Sequence, residues 1–326
     1  MAKEKKVEEE VKDIFKETLK IMESKYGANT VIHGSSLKEQ LEVVSSGSLT
    51  LDVAMGVGGI PVGKLLEIYG FESCGKSTII YHVIANFQKI DGEVVLIDFE
   101  QSFDKKYAIA LGIDVNKLII INPSCMEDGY NIAETFIKTG KVRLICIDSH
   151  TAMMPKKIME GEIGDVTIGL QARTNSIALG KLKPLLKVNR CTLISAAQLR
   201  VAVGSYGDPN VPTGGLAYRF YSDIRLKISK SLDRDNELNK TTIEVTKNKC
   251  ACPNTKAQFN IGWGIGIMRE MELIDLACEF RFIEKSGGWY KVGDSKFQIT
   301  KLKEFLIDNA EYAIDLEHKV LEKLKR

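Results

Sequence analysis

The stretch GFESCGKST, Gly70 to Thr78, constrains this 326-residue chain more than any other because of what flanks it. The apolar run LLEIY stands before it and the helical pattern STIIYHVIANFQKI begins at its end. A strand, a GxxxxGK[ST] turn and a helix form a loop that wraps a phosphate, a unit of α/β folds. Gly70 and Gly75 reach backbone angles that a side chain forbids, so the amides from Glu72, Ser73 and Cys74 onward can face an anion at a helix N-terminus. Lys76 offers a point charge to β and γ phosphates, Ser77 a hydroxyl to magnesium, and Thr78 completes the motif. The ligands expected here are ATP and Mg2+.

Downstream, short β-rich runs alternate with helical patterns: VVLIDFE, LIIINPS, VRLICIDS, TLISAAQ and DIRLKISK. That alternation predicts a mostly parallel central sheet with helices on its faces and ligands at the strands' carboxyl ends. Polar residues cluster at those ends. Asp148 closes LICIDS, where a carboxylate can support a metal ion beside Ser77. Glu100 closes VVLIDFE, where it can orient and deprotonate a water, or simply be a solvated loop acid. Gln198 closes TLISAAQ, where an amide can sense a γ-phosphate without neutralising it. His150 reads as a packed or loop histidine.

Composition bounds the partners. Net charge is +2, from 45 Lys and Arg against 43 Asp and Glu, so a nucleic acid must be met by local patches. Seven cysteines without CxxC spacing predict neither a zinc site nor a disulfide frame and suit a reducing cytoplasm. The opening MAKEKKVEEEVKDIFKETLK is too charged for a signal peptide, and no apolar run is long enough for a membrane span. Val7, Val11, Ile14, Phe15, Leu19 and Met22 recur at helical spacing, which predicts an amphipathic helix. Residues 248–266 read as glycine-rich and irregular. MELIDLACEF and KLKEFLIDNAEYAIDLEHKVLEKL, around SGGWYKVGD, read as a small α/β domain. The expected division is 1–34 for this N-terminal helix and a linker, 35–266 for the nucleotide-binding core, and 267–326 for the C-terminal domain.

The chain resembles the bacterial RecA recombinases, a family with phage-encoded members. VSSGSLTLDVAMGVGGIPVGKLLEIYGFESCGKST, LIDFEQSFD, IMEGEIGDVTIGLQAR, PTGGLAYRFYSDIRL and VTKNK carry the likeness from about Ser45 onward. EGEIGD followed by GLxAR is the most specific part, since other ATPases on the same core lack it. The resemblance implies a RecA-like core and a DNA-dependent ATPase that polymerises on single-stranded DNA and exchanges strands in recombination and repair. It implies Glu100 as the water-activating residue, Gln198 as the coupler of nucleotide state to DNA affinity, and Asp104 and Tyr107 as adenine contacts. It further implies that Lys247 and Lys249 reach the neighbouring subunit's ATP.

Two DNA loops are implied near 160–169 and 199–215, with Ile168 and Val203 inserting between bases and Tyr206 offering a stacking face. Arg173, Ser176, Arg200, Gly214 and Gly215 suit backbone contacts that ignore sequence. Partners implied are single- and double-stranded DNA, copies of this chain in a filament, a single-strand-binding protein, a loading mediator and a self-cleaving repressor of the damage response. Alternatives on the same core are a hexameric helicase or branch-migration ATPase, or a filament that only stimulates repressor cleavage. Gly180, Leu216 and Cys74 depart from the family pattern, and the ending LEHKVLEKLKR carries no acidic run.

Overall fold

The computed structural model describes residues 2–27, 41–162, 169–201, 210–212, 214–233 and 238–324. Contacts divide the chain into Met1–Leu41 and Glu42–Arg326. Among its described residues the first unit holds one helix, α1 (Ala2–Tyr26), with Ile14, Phe15, Ile21 and Met22 exposed.

The second unit opens with β1 (Val43–Val44), α2 (Leu49–Ala54) and β2 (Ile60–Pro61), which pairs with β1. A βα alternation follows: β3 (Leu65–Gly70), α3 (Lys76–Phe87), β4 (Glu93–Asp98), α4 (Lys105–Ala110), β5 (Leu118–Ile121), α5 (Met126–Lys138), β6 (Val142–Asp148), α6 (Lys156–Glu160), α7 (Leu170–Val188) and β7 (Thr192–Val201). Then come β8 (Asn210–Pro212), α8 (Ala217–Tyr221), β9 (Ile224–Asp233), β10 (Leu238–Asn248), β11 (Lys256–Gly262) and β12 (Gly266–Ile267).

Among the described residues these strands form one sheet ordered β12-β11-β10-β9-β3-β7-β6-β4-β5, with β8 paired to β7. From β9 to β5 every pairing is parallel, and β10, β11 and β12 extend it antiparallel. The six apolar runs read from the sequence are the six parallel strands. Alternate residues face opposite sides, as strand geometry requires. Leu66, Ile68, Leu96 and Cys146 pack with α3, while Leu65, Val95, Ile97 and Ile145 pack with α5, α7 and α8. Because β3 to β4 skips over β7 and β6, a crevice opens at the carboxyl ends, where doubly wound sheets bind ligands.

Two regions depart from the sequence reading. Within residues 248–266 the stretches 249–255 and 263–265 are irregular, but β11 between them is ordered sheet, in which the buried Ala257, Phe259 and Ile261 alternate with Lys256, Gln258 and Asn260. The long C-terminal pattern is two helices, α10 (Ile299–Asp308) and α11 (Ala310–Leu324), broken at Asn309. With α9 (Arg269–Glu279) and the sheet β13 (Glu284–Ser286), β14 (Trp289–Val292) and β15 (Ser295–Gln298), they enclose a separate small core. Glu272 of α9 is buried and accepts from the Ser48 hydroxyl (2.8 Å) and the Leu49 and Thr50 amides (2.9 and 2.8 Å). A carboxylate at the start of α2 satisfies its free amides and docks α9 there.

Candidate nucleotide and DNA site

The phosphate loop runs from the end of β3 into α3. Gly70 has no room for a side chain, since a Cβ would lie 2.4 Å from the Ile228 carbonyl. Gly75 (φ 99°) and Ser73 (φ 54°) are left-handed, a backbone pattern that turns successive N–H groups to one side and makes an anion nest. Lys76 is buried, and its ammonium donates to the carbonyls of Gly70 (3.2 Å) and Phe71 (2.7 Å).

Register gathers the remaining groups. Gly70 pairs with Gln198 and Asp98 pairs with Asp148, and since Ile147 pairs with Ser195 the four strand ends converge within about two residues of one another. Ser77 donates to Asp148 Oδ2 at 2.7 Å. Burial pushes the Asp148 carboxyl up to about 6; Glu100 and Asp98 add to that, while the Ser77 hydrogen bond and Lys76 oppose it. Asp98 accepts from the amides of Glu100 (3.1 Å), Ser102 (2.9 Å) and Phe103 (3.0 Å), which locks the turn that aims Glu100. Glu100 Oε1 then accepts from Ser149 Oγ at 2.5 Å and Gln198 Nε2 at 3.1 Å. Its Oε2 has no hydrogen-bond partner among the described residues, which leaves that oxygen available to a water.

These residues line a cavity of about 710 Å³ that holds Glu72, Ser73, Cys74, Lys76, Ser77, Thr78, Glu100, Asp148 and Gln198. Asp104 and Tyr107 lie in its wall; Asp104 caps α4 by accepting the Tyr107 amide (3.0 Å), and the Tyr107 hydroxyl meets Thr78 at 3.1 Å. The wall also holds residues that the sequence did not single out: Lys230, Thr241, Gly262 and Trp263. Trp263 is 86% exposed, an indole face open for stacking. Thr241 Oγ1 is buried with no partner, an orphan hydroxyl in the cavity wall. A polar ligand there would satisfy it, so the lining fits a nucleotide. The described residues contain no cluster of three or more His, Cys, Asp or Glu suited to a metal. A Mg2+ ion that depends on Ser77, Asp148 and substrate phosphates fits this donor set.

An electropositive loop should favour the Cys74 thiolate, yet burial pushes the thiol up and outweighs the opposing charge of Lys76. His150 is a packed histidine, stacked on Tyr218 with centroids 3.8 Å apart and driven down to about 3 by burial, with Arg225 adding.

Lys247 and Lys249 lie apart from this cavity. Lys247 pairs across the sheet with Arg225, which pairs with Glu67, near the amino end of β3. The Lys247 ammonium donates to the carbonyls of Arg219 (2.6 Å) and Phe220 (2.9 Å). The Lys249 amide donates to the Asp223 carbonyl at 2.8 Å, and the Asp223 carboxylate pairs with Lys183.

Of the DNA-loop residues, Arg173 and Ser176 share one exposed face of α7, and Arg200 is exposed on β7. β7 outruns the expected loop start: Leu199, Arg200 and Val201 pair with Pro212, Val211 and Asn210. Gly214 and Gly215 follow that hairpin. Ile168, Val203 and Tyr206 lie outside the described residues. At Gly180 a side chain would begin 3.1 Å from the Tyr221 hydroxyl, and Leu216 is exposed beside α8.

Comparison with known proteins points one way. Residues 13–268 match the family model for the RecA N-terminal domain, and residues 271–325 match the model for the RecA C-terminal domain. Protein RecA of Bordetella avium (strain 197N) is 42% identical over 303 residues, covering 91% of this chain and 84% of that protein. Protein RecA of Staphylococcus carnosus (strain TM300) is 41% identical over 314 residues, covering 94% and 88%.

Proposed function

The chain belongs to the RecA family, and on that premise we propose how its residues share the work of a recombinase. The protein is a DNA-dependent ATPase that uses ATP with Mg2+, binds single- and double-stranded DNA, forms a homo-oligomeric filament and carries out strand exchange in recombination and repair. The helicase alternative is dropped.

One observation carries the assignment of residues: Glu100 keeps one oxygen open in the cavity that also holds Lys76 and the Ser77–Asp148 pair. Glu100 takes the proton of the attacking water, and Ser149 and Gln198 hold its other oxygen. Lys76 leaves the carbonyls of Gly70 and Phe71 for phosphate oxygens, an exchange of neutral acceptors for charged ones. Mg2+, when bound beside Ser77 and Asp148, neutralises charge on the β and γ phosphates. Gln198 senses that charge on the strand that continues into the hairpin of the second DNA loop. Arg173, Ser176 and Arg200 meet phosphates, so base pairing alone tests homology. α1 grips the next subunit, and Lys247 and Lys249 serve the neighbour's phosphates. All seven cysteines are free, which suits a reducing cytoplasm. No described helix is long and apolar enough to cross a membrane.

Strand exchange between a circular single strand and a linear duplex tests this reading. Joint molecules that mature to nicked circles are expected with ATP and Mg2+. DNA-stimulated hydrolysis without joint molecules would contradict it.

A further inference from the structure

Three consecutive residues after β6 face two different ways. Ser149 bonds Glu100, and its hydroxyl meets that of Thr151 at 2.8 Å; Thr151 Oγ1 accepts the Gln198 amide at 3.3 Å. His150, between them, points into the core beneath α7 and α8. Its Nδ1 lies 2.9 Å from Ser195 Oγ, and Ser195 also hydrogen-bonds Tyr218. The Tyr218 hydroxyl meets that of Tyr130 at 3.0 Å. Tyr130 donates to Asn175 Oδ1 at 2.5 Å, and Asn175 Nδ2 donates to the Gly214 carbonyl at 2.8 Å.

Donor counting gives this chain a single direction. The Gly214 carbonyl only accepts, so the Asn175 amide nitrogen faces it and Oδ1 must accept from Tyr130. Tyr130 has then used its one proton and must accept from Tyr218. That passes the demand back through Ser195 to a neutral His150 protonated on Nδ1. His150, Asn175, Ser195 and Tyr218 are all no more than 2% exposed, so no water can substitute for a broken link. A buried group left unpaired shifts an equilibrium by about tenfold or more.

α7 is the joint at the far end. Gln171 and Asn175 stand four residues apart, one helical turn, on one face. Gln171 Nε2 donates to the carbonyls of His150 (3.2 Å) and Met153 (2.9 Å), while Asn175 holds Gly214. The helix starts at Leu170, directly after the first loop segment, and Gly214 closes the second.

We propose that Gln171 and Asn175 are positioning residues, which tie both DNA loops through the Tyr130–Tyr218–His150 chain to the strand end carrying Glu100 and Gln198. The proposal rests on the recombinase reading and names the linkage by which nucleotide state would set DNA affinity. A displacement of Gln198 or Glu100 moves Ser149 and Thr151, and His150 cannot stay behind without opening a buried bond. The foot of the second loop shifts with it.

The test uses the full chain, a fluorescent oligo-dT, and either a slowly hydrolysed ATP analogue or ADP. The measured quantity is the ratio of DNA affinities in the two nucleotides. Asn175→Leu should reduce that ratio about tenfold, and Tyr130→Phe, which spares the Gly214 bond, by about threefold to tenfold. Binding of a fluorescent ATP analogue without DNA should stay within about twofold of wild type, because neither residue touches the cavity. Simple destabilisation would lower both DNA affinities together and leave the ratio alone. A folded Tyr130→Phe protein with a ratio within twofold of wild type overturns the proposal, even if Asn175→Leu does not fold. A wild-type ratio near one would instead contradict the recombinase reading, and this proposal with it.

Discussion

The two ends of β3 differ in what they do with charge. At the carboxyl end, Gly70 opens a cradle of amides with Lys76 inside it, a bed shaped for phosphate. At the amino end, Lys183, Lys247, Lys249 and Arg225 crowd around two carboxylates among the described residues, Asp223 and Glu67. Along β3 the two ends are about 17 Å apart, six residues at strand rise. One end holds Lys76 in the cradle with Lys106 and Lys230 in the cavity wall, and the other has further cations that its own phosphate loop cannot use. In the proposed shared site, a second copy placed so that the amino end of one meets the carboxyl end of the next joins the halves. Contacts between unlike surfaces propagate into an open helix unless rotation closes them. Filament formation and hydrolysis are then one requirement.

Breaking the carboxyl end should have the largest effect. Lys76→Ala should abolish hydrolysis and strand exchange, measured as phosphate release on single-stranded DNA, because the bed loses its only buried cation among the described lining residues. Glu100→Gln comes next: hydrolysis at least ~100-fold slower, with filaments still assembling in electron micrographs. Loss of filaments would make Glu100 structural.

The amino end can be probed by pH. Burial lowers the Lys247 ammonium to about 8, and Lys249 and Arg225 push the same way. It is charged at pH 7 and loses its proton as pH rises through that value. DNA-stimulated hydrolysis should therefore fall on an alkaline limb above pH 8, and Lys247→Arg, charged throughout, should remove the limb. An unchanged limb would assign it elsewhere. Smaller still, Arg173→Ala and Arg200→Ala should each weaken DNA binding on every sequence and reduce the salt slope by about one. A loss confined to particular sequences would mean base readout.

The carboxyl end was legible because its residues are contiguous or close a strand: LLEIYGFESCGKST and LICIDS each carry their own context. Lys247 and Lys249 were visible only through VTKNK, and nothing in that segment says which end of the sheet it occupies. Register across β9 decides that: Ile243 and Val245 pair with Ile228 and Leu226, and a shift between Val245 and Lys247 then sets Lys247 opposite Arg225. Trp263 escaped notice inside a glycine-rich segment, since a lone tryptophan has no spacing to read. The His150 chain was invisible for a different reason. Its members come from the turn after β6 and from β7, α5, α7 and α8, so no spacing along the sequence joins them.

Whether hydrolysis needs both ends of β3 from different subunits is decided by mixing two defective proteins. Glu100→Gln keeps the lysines, and Lys249→Ala keeps the glutamate; each alone should be nearly inactive. In an equal mixture co-assembled on single-stranded DNA, about a quarter of the interfaces join an intact Glu100 to a neighbour's intact Lys249. Phosphate release should then rise to a comparable fraction of the wild-type rate. A mixture that co-assembles yet releases phosphate no faster than its two components separately would contradict the shared site.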